Sequence, residues 1–230
     1  MPDSTIYATG GGNEDDATIY NSSTSDWATA RGDASTSGTI HNDSSTKNSV
    51  GVYNRKIAGR GGGNNWLCNR SYFSFDVSGE SGTVDSATVR LYLDNLGSAG
   101  NAARVVIVES TALAGSTADF GNCFSSGSTL GDLMASYAFV STTEGYHDFD
   151  LNSDGITALN GKIGSGLFQI CLMGNIYDYA DADPGADSSY TRTQVSYSEY
   201  TGTSRDPKIE IDYEAAAVVA NNATFFGANF

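Results

Sequence analysis

Ser71-Tyr-Phe-Ser-Phe-Asp-Val-Ser-Gly-Glu-Ser-Gly-Thr-Val-Asp-Ser-Ala-Thr-Val-Arg-Leu-Tyr-Leu-Asp94 decides the fold class of this chain. It reads as two short strands, Tyr72–Val77 and Ala87–Leu93, separated by a Gly/Ser/Glu turn at Ser78–Gly82 and the segment Thr83–Ser86. Successive side chains of a strand point to opposite faces. Phe73, Phe75 and Val77 therefore share one face of the first strand, with Tyr72, Ser74 and Asp76 on the other. In the second strand Val89, Leu91 and Leu93 oppose Thr88, Arg90 and Tyr92. Each strand is expected to keep one wet side, as in an antiparallel sheet over a core. This is a β core and not a catalytic motif.

Outward from this pair, further strands are expected at Thr5–Ala8, around Thr18–Tyr20, and at Val50–Ile57, Ala103–Glu109, Tyr146–Leu151 and Gly166–Met173. Trp27 is the expected anchor of the N-terminal strands. The Ser/Thr/Asn/Asp stretch 35–49, with a lone Ile40-His41, reads as a surface loop. The run Gly59–Asn65 breaks a strand but lacks the Gly-Lys-Ser/Thr ending and following helix of a phosphate loop. Residues 110–131 form a long excursion carrying Phe120, Cys123 and Phe124. Asp132–Phe139 fits a helix or a strand equally, and Asp154–Lys162 fits a helical turn with Ile156 and Leu159 inward. The expected organisation is residues 1–65 as N-terminal strands and long loops, 66–213 as sandwich core, and 214–230 as a C-terminal docking tail.

Among 230 residues, 27 are acidic and 12 basic, so the net charge is 12 − 27 = −15. Such a surface repels phosphate and excludes nucleic acid as an expected partner. It suits a soluble, self-repelling particle or calcium-bearing loops. Glycine, serine, threonine and asparagine dominate the remainder, the composition of strands joined by turns. Cys68, Cys123 and Cys171 are odd in number and widely spaced, which argues for buried free thiols over a zinc site. The opening Met1-Pro-Asp-Ser-Thr-Ile has no basic region followed by an apolar run, so no signal peptide is expected. No stretch approaches the ~20 apolar residues of a membrane span, so no membrane insertion is expected.

Several patterns invite a chemical reading. Asp150, Asn152 and Asp154, followed by Gly155, match the opening of a calcium loop, but the twelfth position is Gly161 where a bidentate glutamate is needed. The competing reading is a turn capped by Asn152 and Asp154. Asp178, Asp181, Asp183 and Asp187 around Pro184-Gly185 read as a solvated loop. Arg31-Gly-Asp33 has the form of an integrin ligand, a tripeptide that also arises by chance. His41 and His147 lie far apart, no nucleophile elbow precedes a helix, and no enzymatic activity is expected. Tyr177, Tyr179 and Tyr190, in a region rich in aspartate that also carries Tyr197 and Tyr200, are the candidates for stacking on glycans.

The pattern of Tyr72, Phe73, Phe75, Asp76 and Val77, then Val84, Ser86-Ala87 and Leu91-Tyr92-Leu93, resembles the DNRLRE family of β-sandwich domains. Phe149-Asp150-Leu151, Gly166–Leu172, and Asp206-Pro207-Lys208 leading into Ile209–Tyr213 extend the resemblance, which spans roughly Trp66 to Tyr213. It implies an all-β, jelly-roll-like antiparallel sandwich with long loops and a C-terminal extension. It also implies the settings in which such domains occur, phage structural proteins and bacterial surface proteins, and it brings no catalytic residues. Beyond Tyr213, the segment from Ala215 to Phe230 is uncharged and carries Val218, Val219, Phe225, Phe226 and Phe230. On a chain otherwise built to repel, these apolar residues are expected to dock on a neighbouring subunit. The combined expectation is a non-enzymatic structural protein at a virion surface or otherwise extracellular, a capsid decoration (cement) or fibre protein. Its expected partners are copies of itself, with a trimer favoured, and other virion proteins. The alternative is a carbohydrate-binding module or receptor-binding tip that takes surface glycans, with calcium the one cofactor left open.

Overall fold

The structure, a computed structural model, describes residues 2–9, 16–42, 51–59, 63–95, 104–111, 116–138, 144–185, 190–198 and 202–215. In chain order the strands are β1 (Ser4–Tyr7), β2 (Asp16–Ser23), β3 (Thr39–Asn42), β4 (Val52–Ala58), β5 (Asn64–Asp76), β6 (Val84–Asn95) and β7 (Arg104–Glu109). They continue as β8 (Phe124–Ser126), β9 (Thr129–Leu130), β10 (Leu133–Ala138), β11 (Gly145–Asp150), β12 (Leu167–Gly174), β13 (Tyr190–Val195) and β14 (Lys208–Tyr213). Two helices, α1 (Trp27–Arg31) and α2 (Ser153–Asn160), a 3-10 turn at Thr117–Gly121 and a π turn at Asn175–Tyr179 complete the inventory.

Every pairing is antiparallel. One sheet runs β1, β14, β6, β11. The other runs β10, β7, β12, β5, and β5 is long enough to take two neighbours along one side, β12 at Ser71–Asp76 and β4 at Asn64–Asn69. Its opposite side is filled by β2, which carries β3. Strand β13 pairs with β4 through Tyr190–Thr193 and then with the end of β6, with an irregularity between Gln194 and Val195. The two sheets therefore meet at a hydrogen-bonded corner. This is an all-β antiparallel sandwich, as the strand pattern predicts.

The alternation in β5 and β6 places Phe73, Phe75, Val89, Leu91 and Leu93 between the sheets, all fully buried, with Phe149, Ile170 and Ile209. On β6 the opposite face, Thr88, Arg90 and Tyr92, is partly exposed as expected. On β5 the expectation holds at Asp76, which is exposed, and fails at Tyr72 and Ser74. Arg70, Tyr72 and Ser74 are as inaccessible as Phe73 and Phe75. The reason is a second layer: α1, the 3-10 turn, the β8–β9 hairpin and the π turn pack over the outer face of this sheet and enclose a second core. The excursion 110–131, with Phe120, Cys123 and Phe124, is part of this cover.

Other expectations shift locally. Residues 35–49 are not all loop, because Thr39–Asn42 pairs with β2. Asp132–Phe139 resolves as strand β10 over Leu133–Ala138. At the glycine break the Gly59 amide donates to the Gly63 carbonyl at 2.6 Å, closing the end of β4 on the start of β5. A Cβ at Gly59 would stand 2.7 Å from that same oxygen, so no other residue fits the turn. The boundary expected between 65 and 66 falls inside β5, which β2 and β4 flank in the same sheet.

Helix α2 closes one end of the sandwich, with Leu159 buried in the inner core and Ile156 packed against it. Asn152 starts it: its Oδ1 accepts from the amides of Asp154 and Gly155 at 3.0 and 2.9 Å, and its Nδ2 donates to the Leu133 carbonyl. Asn152→Ala is expected to cost about 1–2 kcal/mol, read by chemical denaturation, because a cap and an anchor to β10 go together. An unchanged midpoint would show that the cap is dispensable.

The ends of the described chain meet at this same pole. The Asp3 amide donates to the Ile211 carbonyl at 3.0 Å, and Asp3 Oδ2 accepts from the Tyr213 amide at 2.9 Å. Glu80, in the turn between β5 and β6, accepts from the Ser4 hydroxyl at 3.1 Å and the Tyr213 hydroxyl at 2.7 Å. By strand direction the last residues of β6 and β10, the first residues of β7 and β11, and the meeting of Gly59 with Gly63 lie at the opposite pole.

Candidate functional site

The most charged point inside the molecule lies under the second layer. Arg70 projects from β5, where its guanidinium is fully buried. It meets Asp178 of the π turn in a two-pronged ion pair, Nε to Oδ2 at 2.8 Å and Nη2 to Oδ1 at 2.7 Å. Two of its three remaining hydrogens go to backbone carbonyls, Nη1 to Phe120 at 3.0 Å and Nη2 to Arg31 at 2.8 Å. The guanidinium plane lies 4.3 Å from the Phe120 ring centroid and 4.9 Å from that of Phe124. Burial works against the cation here, but Asp178 and the neighbouring thiols overcome it and hold the guanidinium's pKa well above its ordinary value. One side chain of the sheet thus fastens the π turn, α1 and the 3-10 turn. A fork of five donors against a carboxylate and two carbonyls is a task for arginine, not lysine.

Around this pair the chemistry is one of mutual satisfaction. Arg31 Nε donates to the Asp178 carbonyl at 2.7 Å and lies 3.6 Å from carboxylate oxygens of both Asp178 and Asp181. The Cys68 thiol donates to Asp178 Oδ2 at 3.3 Å and accepts from Asn54 Nδ2 at 3.4 Å. Tyr72 donates its hydroxyl to the Phe120 carbonyl at 2.8 Å. Cys123 and Cys171 are both inaccessible and belong with Tyr72 to the second core. All three cysteines are free thiols, as expected from their apolar settings. The centre's groups are turned on one another, an arrangement suited to holding layers together.

A second assembly lies on the outer face of the β1–β14–β6–β11 sheet. Tyr7, Lys208, Arg90 and Asp148 stand side by side across four strands. Arg90 reaches Asp148 at 2.7 Å and Glu210 at 3.1 Å, and Lys208 reaches Glu210 at 2.7 Å. Tyr92 and Tyr146 meet edge to face at 5.4 Å, with Arg205 4.5 Å over the Tyr92 ring. Exposed pairs of this kind contribute little each, about 0–1 kcal/mol. The cations covering the tyrosine rings occupy the faces a sugar would stack on.

Asp206 borders this face with Oδ1 buried and without a hydrogen-bond partner, and burial raises its carboxyl above the ordinary 3.8. A raised folded-state pKa means the fold holds this proton more tightly than the unfolded chain does. The resulting stability is complete below 3.8 and is lost as pH rises through the folded-state value. Asp206→Asn is therefore expected to gain on the parent between about pH 3 and 6 when denaturation midpoints are compared. A constant difference across that range would show that the carboxyl is not desolvated.

The residues singled out from sequence are distributed differently from expectation. Asp178 does not belong to a solvated loop: its carboxylate is fully buried because Arg70 neutralises it. Asp183 accepts from the Trp66 indole at 2.9 Å, and Asp187 lies outside the described residues. Tyr177 is a core side chain of the second layer, not a stacking platform, and Tyr179 packs partly against the same core. Only the backbone of Tyr190 is described. Tyr197 is also core, stacked on Phe73 at 5.8 Å and hydrogen-bonded to Thr18 and Ser71. The Arg31-Gly-Asp33 tripeptide is not displayed, since Arg31 is buried in the ion-pair cluster. His147 points inward on β11, between the outward Tyr146 and Asp148.

Asp150 accepts from the Thr88 hydroxyl and Asn152 caps α2, which is the capped-turn reading of that segment. Among the described residues, no group of three or more His, Cys, Asp and Glu side chains is placed to hold a metal ion. No described helix is long and apolar enough to cross a membrane. Val218, Val219, Phe225, Phe226 and Phe230 lie outside the described residues. Fold and centre together define a two-layered β-sandwich pinned by an internal ion pair. No protein-family model matches the chain, and no curated protein matches it significantly.

Proposed function

We propose that this chain is a non-enzymatic structural module of an extracellular assembly, a virion decoration or fibre protein in which the sandwich is the outward knob. The observation that carries this reading is the polarity of the fold. Asp3, Tyr213 and the Glu80 turn are clasped at one pole, so the segment beyond Glu214 departs beside the start of β1. An anchor at that pole turns the opposite pole, where β6 and β10 end and β7 and β11 begin, away from whatever is decorated. The charge of −15 keeps neighbouring knobs apart, and the uncharged segment with Val218, Val219, Phe225, Phe226 and Phe230 supplies the docking contact. The resemblance to sandwich domains of phage and cell-surface proteins points the same way, as fold-level analogy.

The test is solution mass by light scattering for the full chain and for a version ending at Tyr213. A closed homo-oligomer, a trimer in first instance, that becomes a folded monomer on truncation is the expected result. Two monomers of equal thermal stability would overturn docking between copies. The carbohydrate-binding alternative loses Tyr177 as a contact and would rest on Tyr179 and Tyr190.

A further inference from the structure

On the flank of the covering layer several polar groups are left without partners inside the protein, the reverse of the ion-pair centre they adjoin. Arg31 is the last residue of α1, and it is only 4% exposed. Its Nε is committed to the Asp178 carbonyl at 2.7 Å, and its guanidinium lies 5.2 Å from the Phe124 ring centroid. The four N–H groups of Nη1 and Nη2 have no hydrogen-bond partner among the described residues, yet neither nitrogen is sealed off in the interior. They open on a cleft of about 430 Å³ that Arg31 lines. Around it stand Ser128 of the β8–β9 turn, Leu130 of β9, Asp132 at the entry to β10, Tyr179 at the end of the π turn and Asp181 beyond it. The Asp132 carboxylate and the hydroxyls of Ser128 and Tyr179 likewise have no partner among the described residues, and Asp181 comes only within 3.6 Å of Arg31 Nε.

We infer that this cleft binds an uncharged sugar residue of a glycan. Charge selects the ligand class. The guanidinium in the wall repels a metal cation, while Asp132 and Asp181 repel a phosphate, sulfate or uronate. An uncharged ligand rich in hydroxyls suits both signs at once: its oxygens accept from Nη1 and Nη2, and its hydroxyl hydrogens go to the carboxylates of Asp132 and Asp181. The half-buried Tyr179 and Leu130 supply apolar surface for the C–H face of a sugar ring. Asp178 behind Nε and Phe124 against the guanidinium hold Arg31 in place before any ligand arrives, so little side-chain entropy is lost on binding. Of the tyrosines expected from sequence to meet glycans this site keeps only Tyr179. It does not depend on the C-terminal segment, whose docking light scattering decides separately.

The isotope-labelled full chain is titrated with the methyl glycosides of glucose, galactose, mannose and N-acetylglucosamine, and in parallel with glucuronate, inorganic phosphate and calcium chloride, while amide resonances are followed by NMR. At least one neutral glycoside is expected to shift the amides of Ser128, Asp132, Tyr179 and Asp181 saturably, with a Kd on the order of 1 mM. Glucuronate, phosphate and calcium should leave them in place. Asp132→Ala and Tyr179→Ala should each weaken the glycoside roughly tenfold or more. Should Tyr179→Ala fail to fold, Asp132→Ala carries the comparison, because Asp132 is exposed and its truncation leaves the melting temperature unchanged. Amides unmoved by all four glycosides, saturable shifts with phosphate, glucuronate or calcium instead, or binding that Asp132→Ala leaves intact would each overturn the assignment.

Discussion

Arg70→Met is expected to destabilise the protein by about 3–5 kcal/mol, the cost of leaving one half of a fully buried ion pair without its partner. Asp178 would then keep only the more distant Arg31, whose Nε lies 3.6 Å from Oδ1 and which also faces Asp181. The carbonyls of Phe120 and Arg31 would lose their donors as well. Asp178→Leu should be as severe, because it strands the guanidinium instead. The double variant is the decisive case. Replacing both charges by apolar groups removes the stranded charge, so urea denaturation should show it recovering much of the loss. Full recovery is not expected, since two carbonyls still lack donors. A double variant as unstable as the sum of the singles would show that the pair does more than neutralise itself. Arg70→Lys is not a conservative change, because an ammonium cannot span Asp178 and both carbonyls at once.

The second large effect separates β5 from β6. Phe73→Ala and Tyr72→Ala, neighbours on opposite faces of β5, should each cost about 3–5 kcal/mol, because both side chains are fully buried under different layers. The corresponding neighbours on β6 should behave unequally. Leu91→Ala opens the inner core and costs about 2–5 kcal/mol. Tyr92→Ala, on the wet face, gives up an edge-to-face contact with Tyr146 and costs about 1 kcal/mol. Equal tolerance at Tyr72 and Tyr92 would show that the covering layer does not seal the outer face of β5.

This contrast marks where sequence reading succeeds and where it stops. Alternation identified the inward faces of both strands, because Phe73, Phe75, Val89 and Leu91 are apolar in a period of two. The same alternation put Tyr72 and Ser74 with Asp76 on the solvent-facing side, and only Asp76 is exposed. What covers that face comes from remote segments: Arg70 finds its partner 108 residues away, and Asp178 sits among other aspartates in a stretch whose composition resembles a solvated loop. Buried ion pairs have no local signature. An indirect signal did exist: Phe120, Cys123 and Phe124 are apolar residues in an otherwise polar excursion, and they needed a surface to cover. Cys68 and Cys171 on strands, each facing away from the inner core, mark that surface. Asn152, which caps α2, and Tyr177, which packs in the second core, make a related point: a polar or amphipathic side chain in a turn can serve the fold's own backbone and core as readily as a ligand.

The pairing of β1 with β14 also sets the order of events during synthesis. Strand β1 finds its partner only when Lys208–Tyr213 has emerged from the ribosome, and β6 likewise waits for β11 and β14. Most of the sandwich is thus closed by contacts between segments remote in sequence, a topology that folds slowly. Until then Ser4–Tyr7 and the apolar faces of β5 and β6 are open edges available to other nascent chains. Yield in the cell should therefore depend more on temperature and crowding during translation than on the stability of the finished protein.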